Sequence, residues 1–325
     1  MRALRPNRSG VGLLKRLGTL LGFAAVLIFF WLQLPETFMT ARNWLNISQQ
    51  MSMLAVVAFG MTLVMAMGDF DLSVGSTASL AGVVAALAFS AGYGVPAGIA
   101  LALCAGLLGG VLNGVLVSYV GILPFVATLG TLTMYSGLAL FVSGGRTLFG
   151  RDIPAAFGAF ARGKVVVAGG LELPNLTLLA LGVFALSWLL LEQTAFGRRL
   201  YAIGSNVEAA RLSGVRVRRL RLAAFALAGL CAAVGGLMYA SRVASANPTQ
   251  GAGLMLDAIA AVFLGMTMSE EGEPHVLGTL LGVLMLGVLA NGLTQLRVDS
   301  YVREIMVGAI ILAAVGLSGL GRGKR

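Results

Sequence analysis

The sequence predicts an all-α polytopic membrane protein with about ten transmembrane helices. Of its 325 residues, 58% are hydrophobic and only 11% are charged, and the mean hydropathy is +0.91. Soluble domains carry about 25% charged residues. Most of the apolar residues form runs close to the length of about 20 residues that crosses a bilayer. The net charge of +10 comes from basic residues that cluster at the ends of these runs, which indicates membrane topology signals and not a nucleic-acid partner.

The first apolar run, residues 17–34, follows five basic residues. A secretory signal peptide begins in a similar way, but this run is long and no A-x-A-like cleavage site follows it. The pattern therefore predicts a retained first helix with its N-terminus in the cytosol.

The apolar runs predict one transmembrane domain over residues 1–325, with half one at about 17–143 and half two at about 174–320. A cytoplasmic loop, residues 193–221, follows the first helix of half two. The predicted spans are 17–34, 45–67, 72–92, 95–119, 124–143, 174–191, 222–241, 254–268, 277–296 and 305–320.

Positive charge supports this topology. With both termini in the cytosol, 15 of the 23 Lys and Arg residues fall in predicted cytosolic segments, as the positive-inside rule requires. Residues 144–173 hold four basic residues and form the longest predicted external loop. That loop is a candidate surface for an external partner.

Two of the predicted spans are interrupted. Residues 68–76 separate spans two and three with almost no loop and contain Asp69 and Asp71. Span eight is short, contains Asp257, and runs into the acidic segment 269–275. Interrupted segments at matching places in two halves point to the moving parts of a transporter.

The two halves share a weak internal match. Asn113-Gly114 ends span four and Asn291-Gly292 ends span nine, with an offset of 178 residues. This offset pairs spans 1–5 with spans 6–10, and an odd number of helices in each copy inverts the second one. The sequence therefore predicts an inverted repeat of two five-helix halves.

Residues 196–221 form the most basic run of the chain and contain seven arginines. Alanine-rich sequence around Glu208 favours a short helix, and Gly214 is a natural stop just beyond it. A short helix with a basic flank outside the membrane is a surface that another protein can bind. The alternative is a solvated linker whose arginines only fix topology.

Four segments together resemble the permease subunits of ribose, xylose or arabinose type sugar ABC importers. They are DFDLSVGS at 69–76, PFVATLGT at 124–131, FGRRLYAIGSNVEAARLSG at 196–214 and LDAIAAV at 256–262. The family usually continues the last motif with glycines, whereas Gly265 is followed here by Met266 and an acidic loop. The resemblance therefore does not transfer a role to that loop.

The resemblance implies a cytosolic ABC ATPase, a periplasmic sugar-binding protein and a second permease copy, identical or different, as partners in the bacterial inner membrane. It also implies that the ATPase docks on the coupling loop through Glu208, Ala209, Ala210, Arg211 and Gly214. The sequence itself contains no G-x-x-x-x-G-K-[ST] motif, so ATP hydrolysis is expected from a partner. No cofactor and no metal site are predicted, since His275 is the single histidine.

A sugar pathway needs neutral hydrogen-bonding side chains, and carboxylates in or near membrane spans are costly and tend to be functional. Each candidate also has a structural explanation, as a helix–helix hydrogen bond or a helix cap. We expect Asp69 to tolerate substitution better than Asp71. The pathway or gating candidates are Asp69, Asp71, Ser73, Asn113, Thr128, Thr131, Asp257 and Asn291.

Two other functions remain open from the residues. An ion-coupled secondary transporter would use the aspartates as coupling sites, but no span contains an obvious carboxylate–basic pair. An intramembrane serine protease would use Ser318, in a G-x-S-G sequence, with His275 as the base. Nothing in the sequence places these two side chains within hydrogen-bond reach.

Overall fold

The computed structural model describes residues 8–166, 170, 172–269, 272–302, 304–306, 308, 309 and 312. The helices are α1 Arg8–Gln33, α2 Ala41–Met65, α3 Val74–Ser90, α4 Val95–Val115, α5 Pro124–Ser143, α6 Ala155–Arg162, α7 Asn175–Trp188, α8 Ala195–Ser205, α9 Val207–Leu212, α10 Val217–Val243, α11 Ala252–Met266 and α12 Val276–Gln295. Two π-helical segments, Leu116–Val120 and Leu189–Gln193, continue α4 and α7. The strands are β1 Leu148–Phe149, β2 Lys164–Val166, β3 Glu172–Pro174 and β4 Ser245–Ala246.

The first nine predicted spans each coincide with a helix, and most of the tenth, 305–320, lies outside the described residues. Within the described part of the chain, six helices are long and apolar enough to cross a membrane. Three further apolar helices are shorter. They are α3, α11 and the part of α1 that runs over Gly18–Gln33. The chain is therefore an all-α polytopic membrane protein, while the count of ten and the inverted repeat stay predictions.

Helices α2 and α10 form the centre of the molecule. Every residue of α2 from Ser52 to Met65 is buried, and α10 packs against α2, α3 and α4. A membrane helix that is apolar on all sides can be surrounded by lipid or by other helices, and α2 is surrounded by other helices. This central position brings the start of α10 close to the loop between α2 and α3.

Glycines allow α4 and α10 to approach closely. A Cβ atom added at Gly106 would lie 2.6 Å from the Gly229 carbonyl oxygen, and one added at Gly229 would lie 2.9 Å from the Gly110 Cα. In membranes, small residues of this kind permit helix–helix contact between backbones. The glycines of α4 therefore form a packing surface against α10.

The small strands lie at the ends of helices. β1 pairs with β4 in antiparallel fashion, with Leu148 opposite Ala246, so the segments after α5 and α10 are joined. β2 and β3 form a hairpin after α6. These two sheets were not expected from the apolar runs, because strands of two or three residues carry no periodic signal.

Candidate coupling loop and buried polar network

The predicted coupling loop folds as two short capped helices. Thr194 Oγ1 accepts a hydrogen bond from Phe196 N at 3.1 Å at the start of α8. Asn206 Oδ1 accepts from Glu208 N and Ala209 N, both at 3.0 Å, at the start of α9. These are N-cap interactions of the kind that Thr and Asn favour. The sequence interpretation missed α8 as a separate helix, although Thr194 and Asn206 were its signals.

Helix α9 ends at Leu212, and Gly214 lies just beyond its end, as the sequence predicts. Gly214 has φ +82°. Its N–H donates to the Arg211 carbonyl at 3.0 Å, and the Val215 N–H donates to the Ala210 carbonyl at 3.0 Å. This pair of bonds is a Schellman motif, which needs a left-handed residue and therefore favours glycine. The short helix and its glycine stop are confirmed.

The outer surface of α9 is exposed and charged. Arg211 Nη1 lies 3.0 Å from Glu208 Oε2, and the two side chains are 60% and 63% exposed. Leu212 at the end of the helix is 83% exposed, which is unusual for a leucine beside charged residues. Next to it lies a cavity of about 670 Å³ lined by Tyr119, Arg211, Arg216, Val217, Arg218 and Arg219. The loop therefore presents one apolar side chain within a strongly basic surface.

A buried polar network begins at Asp71. Its Oδ1 accepts from Ser73 N at 2.9 Å and from Ser73 Oγ at 2.7 Å. Asn113 Nδ2, from α4, donates to Ser73 Oγ at 2.8 Å and reaches Asp71 Oδ1 at 3.4 Å. Asp71 does not bond to the first free N–H groups of α3, so it acts as a turn residue and not as the helix cap considered above.

Helix α5 completes this network. Thr131 Oγ1 donates to Asn113 Oδ1 at 2.6 Å. Thr128 Oγ1 donates to the Pro124 carbonyl at 2.8 Å and lies 3.4 Å from the Phe70 carbonyl. Five of the candidate residues, Asp71, Ser73, Asn113, Thr128 and Thr131, thus meet between α3, α4 and α5, and none is more than 4% exposed.

Asp69 lies outside this network and pairs with a distant arginine. Arg221 Nε lies 2.8 Å from Asp69 Oδ2, and Arg221 Nη2 donates to Asp69 Oδ1 at 3.1 Å. The Asp69 side chain is 5% exposed and the Arg221 side chain 23%. The sequence analysis found no obvious carboxylate–basic pair within a span and did not identify this one, because its partners lie outside the predicted spans and 152 positions apart in the sequence.

The remaining candidates lie elsewhere. Asn291 in α12 accepts from Gln295 Nε2 at 2.7 Å, and Asp257 is partly buried in α11. His275 Nδ1 lies 3.3 Å from the Glu273 carbonyl oxygen, and Ser318 falls outside the described residues. The described side chains include no group of three or more His, Cys, Asp or Glu residues that could hold a metal ion.

Comparison with known proteins gives a consistent result over nearly the whole chain. Residues 43–315 match the family model described as "Branched-chain amino acid transport system / permease component". The chain is 40% identical to the ribose import permease protein RbsC of Bacillus subtilis (strain 168), over 94% of this chain and 92% of that protein. It is 38% identical to the ribose import permease of Escherichia coli (strain K12), over 89% of each chain. It is 32% identical to the xylose transport system permease protein XylH of the same strain, over 90% of this chain and 88% of that protein. No solved structure matches the chain.

Proposed function

The chain belongs to the family of branched-chain amino acid transport system / permease components, and from this premise we propose that it is the membrane-spanning permease subunit of an ATP-driven ABC importer for a monosaccharide. The observation that carries the proposal is the 40% identity to a ribose import permease over 94% of the chain. The sugar is a pentose or a related monosaccharide, since the similar proteins are named for ribose and xylose. The family description names another substrate class, but the individual relatives are the more specific guide.

The protein is a transport subunit of the inner membrane, and its ATPase is a separate cytosolic protein. We assign the ATPase dock to α9, with Glu208, Ala209, Ala210, Arg211 and Gly214. Two features support this assignment: the Schellman stop fixes the end of the helix, and Leu212 and the arginines leave a basic surface with an exposed apolar side chain. A groove on the partner with acidic residues opposite the arginines and a basic residue opposite Glu208 would complement it.

The remaining partners follow from the topology. The binding protein is expected on the external side, at residues 144–173, and the apolar outer face of α5 faces lipid or a second permease copy. Phe125 and Phe141 on this face are 57% and 83% exposed. Both termini are placed in the cytosol, so reporter fusions after Ser245 and within 155–171 should be external. Cytosolic signals at both positions would contradict the topology.

An inverted repeat of two five-helix halves is supported by which helices touch. Exchanging the halves pairs α2 with α10, α3 with α11 and α4 with α12. The α3–α4 contact then corresponds to the α11–α12 contact, and the α4–α10 contact corresponds to the α12–α2 contact. Both correspondences hold, as an internal twofold relation requires.

The polar network is proposed as a gate element and not as an open sugar pathway. Asp71, Ser73, Asn113 and Thr131 hydrogen-bond to one another, Thr128 bonds to the backbone carbonyl of Pro124 beside them, and all five are buried. A sugar hydroxyl could reach them only after α3, α4 and α5 separate. Asp257 and Asn291 remain candidates for the corresponding region of half two.

The test is uptake of radiolabelled ribose and xylose by vesicles that contain the permease, its ATPase and its binding protein. Glu208→Lys and Gly214→Pro should abolish coupling of ATP hydrolysis to uptake while the protein still inserts. Arg42→Gln, at an exposed position near the start of α2 on the predicted external side, is the control. Normal uptake by both loop variants would remove the docking assignment, and absence of ribose and xylose uptake by the unmodified complex would remove the pentose assignment.

A further inference from the structure

The segments on either side of the predicted ATPase dock, α8 before it and the start of α10 after it, also touch both interruptions of the membrane spans. These are residues 66–73, between α2 and α3, and residues 272–275, before α12. In the predicted topology both lie on the cytosolic side, as α8 does. Three separate contacts make the connection, and each uses a different physical interaction.

The first contact is between backbones. A Cβ atom at Gly204 in α8 would overlap the carbonyl oxygen of Ala66 and would lie 3.3 Å from the Met67 carbonyl carbon. No flexible side chain separates these two segments, and the neighbouring Leu200 and Ile203 are buried in the same cluster as Met67. Because packed interiors resist compression, a shift of α8 must displace residues 66–67 as well.

The second contact is the Asp69–Arg221 ion pair described above. Arg221 stands in the second turn of α10, at the end of the basic run, and its guanidinium meets both carboxylate oxygens of Asp69. Nη2 donates a hydrogen bond to Oδ1, whereas the Nε–Oδ2 approach is a close ion contact without hydrogen-bond geometry. A guanidinium that meets a carboxylate at two points restricts orientation as well as distance. The start of α10 is thereby tied to the centre of the first interruption.

The third contact reaches the other interruption. Tyr201 in α8 donates its hydroxyl to the Pro274 carbonyl at 2.8 Å and lies 3.3 Å from Glu192 Oε1. The same Glu192 oxygen accepts from Val276 N, the first residue of α12, at 3.3 Å. Burial, and then the Glu192 carboxylate, raise the pKa of Tyr201, so the phenol remains a donor at neutral pH.

We propose that Tyr201, Gly204 and Arg221 are positioning residues that move residues 66–73 and 272–275 together when the docked ATPase displaces α9. α8 is the connecting element, because only Asn206 separates it from α9 and that residue caps α9. The proposal rests on the proposed function, since it requires an ATPase on α9. The proposal assigns a role to three residues that belong neither to the proposed dock on α9 nor to the polar network around Asp71.

The chemistry of the ion pair provides a selective test. Arg221→Lys keeps the charge but provides a point contact in place of the planar two-point contact. Arg221→Gln removes the charge. Tyr201→Phe removes only one hydroxyl, so the ring packing of α8 is kept. Arg42→Gln, at an exposed position on the predicted external side, is again the control.

The experiment uses the full complex in vesicles and measures three quantities: ATPase affinity for the permease, ATP hydrolysis, and radiolabelled ribose taken up per ATP. For Arg221→Gln and Tyr201→Phe we expect affinity within about twofold of the unmodified complex, and a fall of about tenfold in sugar per ATP. Arg221→Lys should fall between Arg221→Gln and the unmodified protein. The double variant Asp69→Arg with Arg221→Asp should recover part of the ratio.

The outcomes separate the two proposals. If the unmodified complex takes up no ribose or other sugar, the proposed function fails. If it transports ribose and the Arg221 and Tyr201 variants keep a normal ratio of sugar to ATP, the link through α8 is overturned. Loss of ATPase binding, or equal loss of hydrolysis and uptake, would also overturn it, because both results describe a structural role only.

Discussion

Asp69 and Asp71 stand two residues apart in one loop, but they are stabilised in opposite ways. Asp69 meets a guanidinium from a helix 152 positions away. Asp71 accepts hydrogen bonds from Ser73 N and Ser73 Oγ, two positions along the chain, and receives a weaker contact from Asn113. One carboxylate therefore depends on long-range tertiary structure, and the other mostly on a local turn.

The difference shows which interactions can transmit a movement. A local turn moves as one body with its own loop, so the contacts between Asp71 and Ser73 change little when other elements move. An ion pair between separate elements breaks or shifts when those elements separate. The expectation from the sequence that Asp69 tolerates substitution better than Asp71 concerns sugar uptake and stays a prediction, whereas for stability we expect the opposite order.

The largest effect is expected for Asp69→Asn. Asparagine cannot neutralise Arg221, which is buried enough to lose most of its hydration. Breaking a fully buried pair costs about 3–5 kcal/mol, and because Arg221 is 23% exposed we expect about 2–3 kcal/mol. Thermal unfolding of the purified permease in detergent measures this. An unchanged melting temperature would mean that water already screens the pair.

A smaller loss is expected for Asn113→Leu. Leucine keeps the branched shape of asparagine but is larger, and the Ser73 and Thr131 hydroxyls each lose their partner on α4. We expect about 2 kcal/mol from the loss of two buried hydrogen bonds, since each contributes about 1 kcal/mol. Asn291→Leu, at the position that the proposed repeat pairs with Asn113, is the matched control with the same change in size, and there only the Gln295 side chain is lost as a partner. A larger loss for Asn291→Leu would contradict the central place of Asn113 in the network.

The sequence predicted the local parts of the site because their causes are local. The helix around Glu208 and its stop at Gly214 follow from residues within one turn of each other. Asn113 and Thr131 were visible as polar residues in apolar spans. The contacts that cross the fold, Arg221 with Asp69 and Tyr201 with Pro274, leave no local pattern, since each depends on how α8 and α10 pack.

A still smaller effect on stability is expected for Asp71→Asn. The new amide oxygen can keep both acceptor contacts with Ser73, and asparagine suits the same turn. We expect about 1 kcal/mol or less, the value of weakening a charge-assisted hydrogen bond to a neutral one. Uptake then decides the role of the charge: a stable variant without uptake would show that the carboxylate serves the transport cycle. A loss of stability as large as that of Asp69→Asn would contradict the distinction between the two aspartates.

The smallest effect is expected for Glu208→Gln, because its pair with Arg211 is open to water. Exposed pairs contribute about 0–1 kcal/mol, so the melting temperature should match that of Lys164→Gln, which breaks another exposed pair. The two variants should differ in one respect only: Glu208→Gln should weaken ATPase binding, and Lys164→Gln should not. Binding of the ATPase to immobilised permease, at two salt concentrations, measures this, since a charged dock weakens as salt rises. Equal ATPase binding by both variants would show that the Glu208 charge does not contribute to docking. Leu212 and the Gly214 stop would then be the features of the loop that a partner can recognise.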